Sequence, residues 1–348
     1  MAEVKVGGTW LHWHGDVSGI SWQSRWGSGP CGDDLAGCTF AVDPAHDTST
    51  LRVGSSFEVY SGGVRVFGGV VDQVSRDFPR KVDAKGYGRR AEDFEALSFD
   101  SPTSNPRFAV SGAISRGLPW SNELAFASAS IGESGDSVRR LDSLLTEWAD
   151  KTGKRWGVDS YGRAFAVAEP TTPTLTMDAA GLDIGVTEDG LYTHVVARYI
   201  SSVDGDGNPN GYGTVVASDS QAEALYGRRE NSLDLTRLGQ ISSGTATTYA
   251  TAELALGLRP RWLQRVTVST GGLRSLGGLP VDLSTVRAGQ VLRLMNVPTN
   301  IGGTRYSVAL DVVLGEVSYS TEEPSQVTIA PTNLAVRTLA DAIAASRR

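Results

Sequence analysis

The sequence predicts a mainly β fold with an α+β insert, in which two small antiparallel β-barrel or β-sandwich modules are accompanied by short helices. The chain of 348 residues contains 41 glycines, and this content, together with many serines and threonines, is typical of frequent turns between short strands. Apolar and polar residues alternate with the two-residue period of strands towards both ends of the chain. Between these regions lies a helical pattern followed by a hairpin, which predicts a small α+β unit.

The first module, residues 1–97, is predicted to be a meandering antiparallel sheet with one covered face. Its candidate strands cover residues 56–60, 64–67, 70–75 and 82–87. Two glycines in the turn at residues 61–63 tolerate the positive φ angles of a tight hairpin. Gly68 and Gly69 interrupt the alternation and predict a bulge or a bend.

The second segment, residues 98–190, is predicted to be a linker followed by the α+β insert. Residues 98–118 are rich in Ser, Pro and Gly, which indicates a connecting segment. A helix capped by Ser134 or Asp136 follows, and Gly153 occupies the position of a left-handed C-terminal residue. A hairpin then pairs residues 154–158 with 163–167. The apolar face of the helix consists of Val138, Leu141, Leu144, Leu145, Trp148 and Ala149.

Three further segments complete the predicted organisation. Residues 191–260 form a hairpin and a helical connecting module, with strands at 191–203 and 214–217 and helices at 220–226 and 248–258. Residues 261–330 form the second β-barrel module, with strands at 263–269, 290–295, 306–319 and 326–329. Residues 331–348 form a C-terminal helix that Asn333 caps, and its narrow apolar stripe consists of Leu334, Leu339 and Ile343.

Four tryptophans, Trp10, Trp13, Trp22 and Trp26, crowd the N-terminus. This density is too apolar for a solvated tail, so the rings either pack on the first barrel or contact another subunit. Core packing is the first interpretation, but tryptophan is also enriched among interface anchors. We therefore list the four tryptophans as interface candidates together with Leu334, Leu339 and Ile343.

Charge and hydropathy exclude several classes of protein. The chain carries 32 Lys+Arg and 39 Asp+Glu, a net charge of −7, whereas a non-specific nucleic-acid binder needs a basic balance. No stretch approaches the roughly 20 apolar residues of a membrane-spanning helix. The N-terminus lacks the pattern of a signal peptide, so we expect the chain to stay in a cytoplasm unless a larger assembly carries it out.

The sequence shows no constellation of catalytic residues, and we predict that the protein is not an enzyme. The motifs HExxH and GxSxG and the P-loop are absent. His194 lies in a predicted strand, where a satisfied buried histidine is expected. The carboxylates Glu147, Asp150 and Asp159 could serve a glycosidase only if two of them faced a cleft. Glu147 is instead expected on the solvent side of its helix.

No cofactor and no metal are predicted, although two segments offer alternatives. Cys31 and Cys38 lie in the run CGDDLAGC, which we interpret as a Gly-rich loop with two free thiols or a loop clip. The alternative is a zinc site with His12, His14 or His46, although the cysteine spacing is wider than usual.

The other segment, residues 204–210, places oxygen ligands at alternate positions as in a calcium loop. We interpret it as a polar hairpin tip, because Pro209 and Val215 occupy the positions of the required Gly and Glu.

The order of these elements resembles the baseplate hub or minor tail proteins at the tail tip of siphovirus-type phages of actinobacteria. Residues 53–76, with Val66-Phe67-Gly68-Gly69-Val70, and the following residues 84–97 resemble the first barrel of that family. Residues 137–156 with their hairpin resemble its α+β insert. The run YGRRE at residues 226–230 resembles another family element. Residues 288–291 and the strand at 306–319 resemble its second barrel.

The resemblance implies a structural component of the virion tail tip that is assembled in the cytoplasm of the bacterial host. Three copies with two barrels each would form a homotrimeric ring that joins the tail tube to the tip. The distal tail protein would lie above the ring, tape-measure C-termini in its lumen, and receptor-binding or fibre proteins below. DNA would pass through the channel, and an acidic chain would not adhere to it.

Two other functions remain open at this point. A carbohydrate- or receptor-binding tail module would display Trp10, Trp13, Trp22 and Trp26 on its surface, where rings stack on sugars, whereas their burial would argue against it. A cell-wall hydrolase is the third possibility, and it lacks a catalytic constellation in the sequence.

Overall fold

The computed structural model describes residues 2–13, 15–27, 29–42, 51–96, 105–127, 139–180, 182, 184–185, 191–258, 261–262, 265–301 and 304–332. The chain divides into two compact units. The first unit comprises Met1–Ala180, Gln264–Val297 and Val308–Val336. The second unit comprises Gly181–Leu263, Pro298–Ser307 and Arg337–Arg348.

The first unit begins with an antiparallel sheet whose strands are neighbours in the order β3, β4, β7, β6, β5, β1 and β2. Two-residue alternation places Val4, Phe40, Phe57, Phe67 and Val82 on one face, where they are buried together. Burying such a side chain stabilises the fold by about 1.5–3 kcal/mol. The strands are β1 (Ala2–Val6), β2 (Thr9–Trp10), β3 (Gly15–Arg25), β4 (Cys31–Val42), β5 (Ser56–Ser61), β6 (Val64–Val74) and β7 (Arg80–Gly86).

The insert of the first unit contains α1 (Pro106–Ser115), α2 (Leu141–Thr152), β8 (Arg155–Val158) and β9 (Ala164–Val167). The predicted apolar face of α2 is confirmed, because Leu141, Leu144, Leu145, Trp148 and Ala149 are all buried. Gly153 ends the helix with φ +65°, as predicted. The helix begins after Arg140, whereas the expected caps Ser134 and Asp136 and the apolar Val138 lie outside the described residues.

Two predictions in this region were wrong. Residues 98–118 were expected to form a connecting segment, but residues 106–115 form α1, which Asn105 caps and Pro106 starts. The run CGDDLAGC was expected to be a loop, but it forms the first part of β4. Glycines at residues 32 and 37 permit close approach of neighbouring chains in this strand, so they do not mark a turn.

After β10 (Pro173–Asp178) the chain enters the second unit. There, a sheet in the order β13, β12, β14 is covered by α4. Val195, Ala197, Leu235, Ala246 and Ala250 are buried between the sheet and this alanine-rich helix. The elements are β11 (Ile184–Gly185), β12 (His194–Val203), β13 (Pro209–Ser218), α3 (Ser220–Tyr226), β14 (Glu230–Asp234), α4 (Ser243–Gly257) and β15 (Arg261–Trp262).

The remaining strands complete a second part of the large sheet of the first unit. The order β17, β10, β18, β19 continues into β3, and β20 lies between β19 and β16. Residues Glu316 to Ser320 of β19 pair with Arg25 to Ser21 of β3, so one sheet runs through both β-modules. The strands are β16 (Val266–Ser269), β17 (Arg274–Ser275), β18 (Val291–Ile301), β19 (Thr304–Ser320) and β20 (Gln326–Pro331).

The predicted fold class, mainly β with an α+β insert, is confirmed. The sheets are not purely antiparallel, because β4–β8, β10–β18 and β12–β14 are parallel pairs. The five segment boundaries stay a prediction, and the C-terminal helix with Asn333 lies outside the described residues. None of the described helices combines the length and apolar character needed to cross a membrane.

Candidate functional site

Trp26 joins three parts of the first unit at the end of β3. Its ring stacks on that of Phe165 in β9, with 6.1 Å between the ring centroids and 11° between the ring planes. The ring also lies against Gly289 before β18, where a Cβ atom would overlap with it. Its backbone N–H donates to Gly315 O at 2.8 Å. Trp26 is therefore a buried packing centre shared by the first module, the insert and the second module.

Trp22 is also buried, with 3% of its surface exposed. Its ring lies 4.7 Å from that of Tyr319 on β19, close to where β3 and β19 pair. Trp22 and Trp26 thus pack inside the first unit. The indole N–H groups of both rings are buried without a hydrogen-bond partner among the described residues.

Trp10 is only partly buried and begins a row of rings on the surface of the first unit. Its ring lies 5.0 Å from Tyr60 and 5.7 Å from His12, and the Lys5 ammonium stands 5.6 Å from it. The Trp13 side chain and the residues Leu334, Leu339 and Ile343 lie outside the described part. The interface role of the seven candidate residues stays a prediction.

The row continues through cations that sequence reasoning missed. The Arg65 guanidinium lies 5.8 Å from the centroid of the Tyr60 ring and 5.2 Å from that of the Tyr161 ring. The Arg163 guanidinium lies 5.4 Å from the centroid of the same Tyr161 ring. Tyr161 is 57% exposed. Trp, Tyr and Arg are the residue types that dominate binding energy at protein interfaces. We call Trp10, Tyr60, Arg65, Tyr161 and Arg163 the aromatic row.

Glycines let the β8–β9 hairpin approach the first module closely. A Cβ atom at Gly68 would overlap with Ser160 O, one at Gly32 with Val158 O, and one at Gly157 with Cys31 O. The parallel β4–β8 pairing occurs at the last two contacts. Gly68 therefore permits close backbone packing between the first module and the insert.

Asp33 lies at the same junction. Its carboxylate accepts the Gly68 N–H at 2.8 Å. A second hydrogen bond, from the Ser61 hydroxyl to the Ser284 hydroxyl at 3.0 Å, connects the first and second modules. Burial of the carboxyl raises the Asp33 pKa to about 7, although Arg287, the Gly68 bond and Arg65 oppose the shift, and Asp159 adds to it. Burial in turn lowers the pKa of Arg287. No sequence pattern indicated this cluster.

The two cysteines are structural. Both are buried free thiols, and burial raises the pKa of Cys31 to about 11 and that of Cys38 to about 12. Because a strand rises by about 3.3 Å per residue, seven steps along β4 place them roughly 23 Å apart. They cannot form a disulfide with each other or share a metal ion. Of the proposed zinc ligands, His14 and His46 lie outside the described residues.

The other polar residues singled out from the sequence have structural partners. His194 is buried in β12, as predicted, with Thr193 Oγ1 3.2 Å from Nδ1 and Glu223 3.7 Å from Nε2. Glu147 pairs with Arg139 at 2.6 Å on the outer face of α2. Asp159 binds Arg163 across the hairpin turn at 2.9 Å.

The loop between β12 and β13 is a polar hairpin tip, as predicted. Asp204 Oδ1 accepts the N–H groups of Asp206 and Asn208 at 3.0 and 2.8 Å. Among the described residues, no group of three or more His, Cys, Asp or Glu could hold a metal ion.

The fold is similar to those of solved phage tail proteins. The 43 kDa tail protein of prophage MuSo2 from Shewanella oneidensis matches with a TM-score of 0.60 and 12% identity, over 98% of this chain and 99% of that one. A tail protein from Neisseria meningitidis MC58 matches with a TM-score of 0.58 and 12% identity, over 98% of both chains.

A third structure, the prophage tail protein gp18 from Listeria monocytogenes EGD-e, matches with a TM-score of 0.52 and 13% identity. The match covers 90% of this chain and 88% of that one. No family model and no curated protein matches the sequence. The class defined by these comparisons is a fold found in phage tail proteins, shared over nearly the whole chain.

Proposed function

We propose that this chain is a structural component of a phage tail, located at the tail tip as a baseplate hub or minor tail protein. The observation that carries the proposal is the match to the two tail proteins over 98% of this chain. A match of this extent includes both β-modules, the insert and the second unit. The order of the sequence elements supports the same assignment independently of the fold.

In the proposed assembly, three copies form a ring that joins the tail tube to the receptor-binding or fibre proteins. The continuous sheet from β3 into β19 supports this model, because each copy then contributes two rigidly connected β-modules. Three copies supply six modules, which suits a junction between six-fold and three-fold parts. The aromatic row supplies surface of the kind that obligate interfaces bury.

The proposed partners are the distal tail protein above the ring, the tape-measure protein in its lumen and the fibre proteins below. DNA passes through the lumen at infection, and the net charge of −7 reduces its adhesion to the walls. The chain acts without catalysis and without a cofactor in this model. It is assembled in the bacterial cytoplasm and leaves it within the virion.

Co-purification with the distal tail protein of the same phage tests this placement. We expect a stable complex that contains this chain and the distal tail protein, and gold-labelled antibody against this chain at the tip of intact virions. Label along the tail shaft or on the capsid would contradict the placement. The Asp206→Lys variant is a suitable control, because residue 206 lies at an exposed hairpin tip.

A carbohydrate- or receptor-binding module is the second candidate. The exposed Tyr161, which shares Arg65 with Tyr60, and the partly buried Trp10 beside Tyr60 favour it. The burial of Trp22 and Trp26 removes two of the four tryptophans on which it was first based. Binding of the purified chain to host cell walls would support this function. Clearing of a cell-wall suspension would instead indicate a hydrolase.

A further inference from the structure

Strand β3 is paired along only half of its length on the side of β19. β4 pairs with it from Gly15 to Arg25, with a bulge at Gly19 and Ile20, but β19 pairs only with the residues from Ser21 to Arg25. Ile20 closes this pairing by donating to Thr321 Oγ1 at 3.1 Å and accepting from Thr321 N at 2.8 Å. Within the described part of the chain, no strand pairs with residues 15–19 on this edge.

A second unpaired edge lies across from it. β5 pairs with all of β1, but β2 pairs only with Lys5 and Val6 on the other side. Residues 2–4 therefore have one edge without a strand among the described residues. Ala2, Val4, Gly15 and Val17 from the two edges line a groove of about 560 Å³, within the roughly 300–1,000 Å³ of ligand sites.

The floor of this groove is apolar. Val4 and Ile20 are buried in the core of the first module. Ala2, Val17 and Tyr319 are only partly buried against the same core. An extended segment in the groove would direct every second side chain towards this floor, and small apolar residues would complete the burial of Val17.

The rim of the groove is acidic. Glu3 and Asp16 line it, and a Glu322 carboxylate oxygen lies 3.3 Å from the position that a Cβ atom of residue 19 would occupy. The basic group among the described lining residues is His12, 3.9 Å from Glu3. This balance favours lysine or arginine side chains in whatever segment lies between the two edges.

We propose that the groove between β1 and β3 binds an extended segment of another polypeptide, with small apolar residues alternating with basic ones. The segment adds a strand to residues 15–19 of β3, in line with β19. Backbone hydrogen bonds supply affinity in this mode, and the alternating side chains supply specificity. The inference concerns the single chain and does not depend on the proposed ring.

A synthetic peptide of alternating valine and lysine, flanked by threonine and blocked at both ends, tests the proposal on the full chain. We expect saturable binding by calorimetry and slower hydrogen exchange at residues 15–19. A peptide with N-methylated valines cannot pair as a strand and should not bind. A peptide with glutamate in place of lysine should bind at least about tenfold more weakly, a change of roughly 1.4 kcal/mol.

The matched pair of variants is Asp16→Lys and Asp206→Lys, which change the net charge equally at exposed positions. We expect Asp16→Lys to raise the Kd of the lysine peptide about five- to tenfold and Asp206→Lys to leave it unchanged. Circular dichroism establishes that both variants fold. The proposal is overturned if the lysine peptide does not bind, if the N-methylated peptide binds equally well, or if both variants behave alike.

Discussion

Single residues determine how the modules of the first unit pack together. The four N-terminal tryptophans show which part of this packing could be predicted from the sequence. The crowding of four tryptophans predicts that they pack against something, because such surface is rarely left in water. The sequence does not distinguish Trp22 and Trp26, which are buried, from Trp10, which is partly exposed. The distinction arises from partners far along the chain, such as Phe165 and Gly289.

Replacing Trp26 should destabilise the first unit strongly. Trp26→Ala removes the stack on Phe165 and leaves a cavity beside Gly289, so we expect the free energy of unfolding to fall by about 3–5 kcal/mol. Urea denaturation followed by circular dichroism measures the change. Tyr161→Ala is the control, because Tyr161 is 57% exposed, and its loss should cost no more than about 1 kcal/mol. Equal effects of the two substitutions would contradict the packing role of Trp26.

The Asp33 carboxyl should make stability depend on pH in the opposite sense to a salt-bridged aspartate. Its pKa rises from 3.8 to about 7 in the folded state because of burial. Between these two values the folded chain binds the proton more tightly than the unfolded chain does. The contribution of Asp33 to the free energy of unfolding is therefore greatest below about pH 4, and it decreases as the pH rises to about 7.

Asp33→Asn removes this dependence while its side-chain oxygen can still accept the Gly68 N–H. We expect the variant to gain stability relative to the parent chain as the pH rises from 4 to 8, with most of the change between pH 4 and 7. Thermal unfolding at pH 4, 6 and 8 measures the difference. A constant difference across the three pH values would show that the carboxyl titrates normally.

At the scale of elements, strong periodicity was predictable and close packing was not. The five described apolar residues of α2 and its C-terminal glycine were identified because a helix repeats its apolar positions every three to four residues. Helix α1 was missed because Ser, Pro and Gly around it were interpreted as a linker. The pair Asn105-Pro106 was the available signal, since Asn favours the N-cap and Pro the first turn.

The cap of α1 offers a test at this scale. Asn105 Oδ1 accepts the Arg107 N–H at 2.9 Å, and its Nδ2 donates to Ala127 O at 2.5 Å. Asn105→Ala should therefore lower the free energy of unfolding by about 1 kcal/mol. Ser115→Ala at the exposed end of the same helix is the control, with an expected change of less than about 0.5 kcal/mol. An Asn105→Ala variant with an unchanged free energy of unfolding would contradict the capping role.

For the whole molecule, the sequence was sufficient to predict a mainly β chain with an α+β insert. Pairing between distant segments could not be predicted, because alternation identifies a strand but not its neighbour. The pairing of β3 with β19 joins residues nearly 300 positions apart, as in Glu316 opposite Arg25. The Asp33 junction was hidden for the same reason, since Gly68 and Arg287 reach it from separate modules.

We propose that this chain forms a ring of three copies at a phage tail tip. Sedimentation velocity of the purified full chain over a hundredfold range of concentration tests it most directly. We predict a discrete species with three times the mass of one chain, which Tyr161→Arg in the aromatic row weakens more than Asp206→Lys does. A chain that sediments as a monomer at every concentration would contradict the claim.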